Sequence, residues 1–149
     1  MKFIIYITLV ASVLLAYQNT FQTPEKAVSA YYNAMNDADI NTLEKVMVKS
    51  SFDMTMEAWA LSKALQDKTF AKTLKQYGQS EQIDNEVIDV VRQRLQNSRP
   101  KVISELVSTS LGLSRCIVRY KENGKPKQLY TSFQNNEWKI NYKAGRKVD

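Results

Sequence analysis

The chain has 149 residues, 44% apolar and 24% charged, with a formal net charge of +6, a single cysteine and no histidine. That is one domain long enough to bury a core, and it excludes Ser-His-Asp, Cys-His and HExxH chemistry, for which histidine is indispensable. Cys116 alone forms no intramolecular disulfide, redox pair or thiolate zinc site.

At the N-terminus Lys2 precedes an apolar run from Phe3 to Tyr17, broken only by Thr8 and Ser12. Fifteen helical residues span about 22 Å, short of a hydrocarbon core of about 30 Å and suited to the apolar region of an export signal. Residues 1–17 read as a signal peptide or a short retained signal-anchor. Ala16 closes the run, but Leu14 makes a poor cleavage site, so both remain open. Export to the periplasm, soluble or held at the inner membrane, is the expectation. Residues 18–22 read as a polar linker, 23–143 as one domain and 144–149 as a basic tail.

Thr23-Pro24-Glu25 has the form of a helix start, with Thr as N-cap, Pro at the first position and Glu near the positive end. Val28, Tyr31, Tyr32 and Met35 follow as one apolar stripe. After a turn at Asp37-Ala38-Asp39, a short second helix carries Ile40, Leu43, Val46 and Met47 and ends near residues 49–51. A third is expected over about 53–65, a fourth over about 69–77. A fifth, started by Ser80-Glu81, carries Ile83, Val87, Val91 and Leu95, and Pro100 closes it. From Lys101 the apolar period becomes two, which predicts strands near 101–109, 113–121, 127–134 and 137–143. Asn123-Gly124 is a strong hairpin signal and Asn135-Asn136 a second tight turn. Helices first and antiparallel strands last make an α+β fold, N-terminal helices on a curved sheet of about four strands.

The stretch from Thr23 to Met35, followed by Asp37-Ala38-Asp39-Ile40, resembles the opening of exported nuclear-transport-factor-2-like domains. The close is similar too, with its Asn-Gly hairpin and Trp138-Lys139-Ile140 on the last strand. The resemblance covers about 23–47 and 113–142, and the helix-rich middle departs from the common form of that fold. It implies a sheet wrapped on the first helix around a cone, with Tyr31, Tyr32, Tyr120 and Trp138 lining or filling it. No particular activity follows, because the family is functionally heterogeneous.

An isomerase-like site in such a cone needs a carboxylate base and a tyrosine donor. The nearby acids are Glu25, Asp37, Asp39 and Glu44, two of them in a turn where Asp is expected for capping. Core filling and capping is the leading interpretation, with no catalytic residue, and small-molecule binding or isomerisation is the alternative. Cys116 reads as a small buried apolar residue. There is no calcium-loop spacing and no phosphate-binding glycine loop, so no metal or cofactor is expected.

Charge is uneven. Residues 18–112 hold eleven basic and twelve acidic side chains; 113–149 hold nine and three. In the strands Arg115, Arg119, Lys139 and Lys143 alternate with apolar neighbours, which predicts a basic outer sheet face. A solvated face, anionic lipid or an acidic partner accounts for it; export and the separation of cations from aromatics argue against nucleic acid. In the helix near 53–65, Phe52, Met56, Trp59 and Lys63 form one arc, and Met54, Ala58, Leu61 and Leu65 form another nearly opposite. Such a helix is either sandwiched or leaves one stripe for a partner. For an exposed stripe the expected anchor is Trp59 with Met56, because Trp dominates interface energetics and Met adapts. The expected function is a non-enzymatic accessory domain of the cell envelope binding another protein, with homo-oligomerisation as a further option.

Overall fold

The computed structural model describes residues 21–77, 79 and 85–146. The expectations for the 1–17 segment, most of the linker, the Ser80-Glu81 cap, Ile83 and residues 147–149 lie outside these.

Helix α1 (Pro24–Asn36) starts as its sequence dictates. Thr23 is extended, its hydroxyl accepts the Lys26 N–H at 3.2 Å, and Pro24 follows. Val28, Tyr31, Tyr32 and Met35 are all buried. Asp39 caps α2 (Ile40–Val46), its carboxylate accepting from the Thr42 N–H at 3.1 Å and the Thr42 hydroxyl at 2.6 Å.

Helix α3 (Lys49–Ala64) begins about four residues earlier than its pattern suggests. Only Met47 and Val48 separate it from α2, and both are extended. The break has a tertiary cause: Met47 bridges Ile140, and the Val48 N–H donates to the Ile140 carbonyl at 2.9 Å. This covers part of the edge of the last strand, a protection that open sheet edges require. Helix α4 (Lys68–Tyr77) is capped by Asp67, which accepts from the Thr69 and Phe70 N–H groups. Helix α5 (Asn85–Gln96) forms despite its β-branched Val87, Val90 and Val91, because Val87, Val91 and Leu95 are buried on one face. Burial of an amphipathic face outweighs local propensity.

Strands β1 (Ile103–Gly112), β2 (Arg115–Glu122), β3 (Lys125–Gln134) and β4 (Glu137–Ile140) form one antiparallel sheet in the order β1-β2-β3-β4. Both predicted turns are present. Asn123 and Gly124, and Asn135 and Asn136, all have positive φ, as two-residue hairpin loops demand. The register of β1 shifts twice, once around Glu105, whose φ is also positive, which breaks strict alternation there. The last strand stops at Ile140, not 143, and the chain turns from Asn141 onward.

The architecture is α+β, with five described helices preceding the sheet. Helix α1 packs across all four strands, meeting Val118, Tyr120 and Ile140 in a shared core. Helices α3, α4 and α5 pack on one another beside it. Residues on either side of 23–143 also take part in the packing. The Phe21 carbonyl accepts the Trp138 N–H at 2.8 Å, and its side chain packs on the core. Ala144 is buried, its carbonyl accepting from Arg115 at 3.3 Å. The linker and the tail each give up residues to the fold because backbone groups there find partners in it.

Candidate functional site

Three of the four residues expected in the cone converge. Tyr31 and Tyr32 leave α1, and Tyr120 comes from β2; all three are 5–6% exposed. Their rings meet edge to face, with centroids 5.4 Å apart for Tyr31–Tyr32 and for Tyr32–Tyr120. The Tyr32 hydroxyl donates to the Glu122 carboxylate at 2.5 Å, leaving its oxygen to accept from Tyr120 at 2.8 Å. The Tyr31 hydroxyl lies 3.2 Å from that of Tyr142, which is itself 3.2 Å from the Thr55 hydroxyl. Glu122, Tyr142 and Thr55 are absent from the residues expected in the cone. Glu122 was legible by alternation, since it follows Tyr120 by two positions in β2; Tyr142 lies in the turn after β4 and Thr55 on a helix, and only the fold brings these two near.

Trp138 stands apart from this cluster. It is half-buried near the start of β4 and meets Phe133, with ring centroids 5.4 Å apart. It pairs with Phe133 in the β3–β4 register and packs on the margin of the core, two residues before Ile140.

The electrostatics are those of a core. Burial pushes the Tyr31 hydroxyl far above its ordinary range, and its Tyr142 neighbour adds to this. Burial, then the bonds to Glu122 and Tyr120, does the same for Tyr32. Tyr120 is raised as well, mainly by burial. Hydroxyls so held keep their protons at neutral pH and are occupied by one another. Two of the nearby acids weighed as a base are also occupied. Burial raises Glu25, but hydrogen bonds from Ser108, including its N–H at 3.0 Å, outweigh this and hold the carboxyl below its ordinary range. Thr42 does the same to Asp39. A carboxylate held ionised by donors is a weak proton acceptor. Cys116 is buried, and burial raises its thiol.

The second site belongs to α3, and here the residues expected as anchors change. Met56 is fully buried with Phe52 and Ala60, so it is unavailable to a partner. Trp59 is half-buried against the core, and its carbonyl accepts from Arg94 at 3.0 Å. The Phe52–Met56–Trp59 arc faces inward because α5 and the core cover it. The opposite arc is bare: Met54 is 44%, Leu61 51% and Leu65 80% exposed, and Ala58 is exposed too. Alongside runs a groove lined by Glu57, Leu61, Ala64 and Leu65 of the α3 side, and by Ala71, Leu74 and Lys75 of α4. Lys68, Lys72 and Lys75 stand on α4 at helical spacing, all exposed.

The basic sheet residues lie outside the core, as alternation predicts, but several are engaged. Arg119 and Lys143 are exposed, Arg115 and Lys139 half-buried. Arg115 donates to the Ala144 and Leu111 carbonyls, Arg119 to Thr109 at 3.2 Å, and Lys139 to the Lys45 carbonyl at 2.8 Å. Their neighbour Ile117, on the same face, is buried. It is flanked in register by Thr109 and Tyr130.

Among the described residues no helix is long and apolar enough to cross a membrane. None of their His, Cys, Asp and Glu side chains gather in threes able to hold a metal ion. In comparison with known proteins the chain matches no family model, no curated protein and no solved structure.

Proposed function

We propose that this chain is a non-enzymatic accessory domain of the cell envelope, exported and held at the inner membrane through residues 3–17, that binds another protein through the bare face of α3. The carrying observation is the stripe of Met54, Ala58, Leu61 and Leu65, exposed on a helix whose other face buries Phe52, Met56 and Ala60. A monomeric domain gains nothing from an apolar stripe three turns long; a partner's apolar surface does. The groove lining carries one cation, Lys75, and one anion, Glu57, and exposed Lys68 and Lys72 add to the positive charge of α4, which holds no acidic residue. That balance favours a partner segment with an apolar stripe and acidic flanks, and disfavours a second copy, whose lysines would meet these. The five-helix, four-strand architecture is compatible with a helix-enriched nuclear-transport-factor-2-like fold, in which the cone would be closed by tyrosines. The closed tyrosine cluster leaves little basis for the isomerase alternative.

The test places a photocrosslinking residue at Leu61, and in a control at Lys125, in the full chain expressed in envelope-bearing cells. The expected result is one adduct at 61, of a mass other than twice the chain, that Leu65→Asp abolishes and that 125 does not form. A self-adduct, or adducts at both positions alike, would overturn the proposal.

A further inference from the structure

A second exposed apolar cluster lies at one end of the sheet. The β1–β2 and β3–β4 turns are at the same end, because strands alternate in direction. There Leu113 projects fully into solvent, Leu111 is 40% exposed and Phe133 is 42% exposed. The Phe133 N–H donates to the Ser114 carbonyl at 2.8 Å, which ties the two turns together. Cations lie to one side of them. Arg115 adjoins the turn and reaches the carbonyls of Leu111 and Ala144, and so links this end to the turn that carries exposed Lys143 and Arg146. The acid there, Glu137, is mostly buried and 4.0 Å from Lys139.

The described chain also begins at this end. The Phe21 carbonyl is bonded to the N–H of Trp138, the second residue of β4, and Trp138 meets Phe133. Four residue steps separate Tyr17, the last of the apolar run, from Phe21; at about 3.4 Å each they span at most about 14 Å. Whatever holds residues 3–17 is therefore within reach of Leu111, Leu113 and Phe133.

We infer that this end of the sheet rests on an anionic lipid surface, with Leu111, Leu113 and Phe133 entering the headgroup boundary and Arg115, Lys143 and Arg146 meeting its phosphates. Bare apolar side chains with cations beside them are the two components of interfacial binding, and the short tether supplies the proximity. The inference rests on the membrane-anchor part of the proposed function. It also orients the domain. The Asn123-Gly124 hairpin lies at the opposite end of the sheet, beyond the seven residue steps of β2, which span about 24 Å.

The experiment uses the full chain in vesicles of mixed phosphatidylglycerol and phosphatidylcholine, labelled with an environment-sensitive thiol dye. One variant is Leu113→Cys, a second Lys125→Cys and a third Leu61→Cys, with the unsubstituted chain controlling for buried Cys116. The expected result is blue-shifted emission, quenched by brominated acyl chains, at 113 and at neither other position, with a smaller shift when Lys143→Glu and Arg146→Glu are added. A chain that sediments with the vesicles while its 113 dye stays aqueous overturns this inference and leaves the anchor standing. Embedding at 61 in place of 113 overturns it in favour of the α3 face. A chain that fails to sediment with the vesicles removes the anchor and the inference together.

Discussion

The two faces of α3 have nearly the same composition and opposite fates. Phe52, Met56 and Ala60 are closed off by the core, whereas Met54, Ala58, Leu61 and Leu65 are left in water. Side-chain hydrophobicity does not tell them apart. What differs is the company: α5 and the sheet-bound core lie against one face, while α4 lies beside the other and leaves it open. An apolar residue contributes to stability in proportion to the area it removes from water, so only the inner face holds the fold together.

The largest expected effect that tests this contrast is Met56→Ala. It should destabilise the domain by about 2–5 kcal/mol, as truncation of a buried methionine does. Leu65→Ala, of similar chemistry on the outer face, should shift stability by no more than about 0.5 kcal/mol. Denaturant midpoints at constant slope measure both, and equal losses would erase the distinction. Trp59→Ala should fall between them, since its ring is half-buried.

Next in size is Tyr32→Phe, which removes the donor to Glu122 and the acceptor of Tyr120 without altering ring packing. The expected cost is about 1–3 kcal/mol, the usual penalty for stranding buried polar groups. The same cluster sets a pH dependence. Its hydroxyls are raised above their ordinary 10, so their contribution is fully present below pH 10 and is lost as pH rises through the raised values. Thermal midpoints should hold to about pH 10 and then fall, and the part of the tyrosinate absorbance that Tyr31→Phe and Tyr32→Phe remove should appear together with unfolding. Ionisation of Tyr31 or Tyr32 in the folded state would contradict the closed cluster.

Smaller still is the acid limb. The Glu25 carboxyl lies below its ordinary 4.5 in the fold, so its contribution is present above pH 4.5 and declines as pH falls through the folded value. Glu25→Gln should flatten that decline in an acid titration of thermal midpoint. Smallest is the sheet exterior. Arg119→Glu or Lys143→Glu should each change stability by no more than about 0.5 kcal/mol, because both are exposed.

Much of this was legible along the chain wherever a local rule applies. Thr23-Pro24 marks the start of α1, and Asn123-Gly124 marks a hairpin, because capping and positive φ are properties of neighbouring residues. Alternation in β2 and β4 placed Val118, Tyr120 and Ile140 inward. The boundary between α2 and α3 differs from the one the pattern predicts because it is set by the Ile140 carbonyl, nearly a hundred residues away. The helical wheel points to Met56 as an anchor because it shows that two stripes exist and nothing about which is covered.

The sequence by itself determined the order of helices and strands, the turns, the Val28–Tyr31–Tyr32–Met35 stripe of α1 and the outward placing of the sheet cations. Each depends on spacing of 3.6 or two residues, or on the intrinsic geometry of Pro, Gly and Asn. Tertiary structure alone decided that Tyr32 donates to Glu122, that Phe21 and Ala144 belong to the domain, and that α3 shows Leu61 and Leu65 to solvent. These are contacts between segments distant in the chain. Their existence depends on how close the whole fold brings two groups, and no local period encodes that distance.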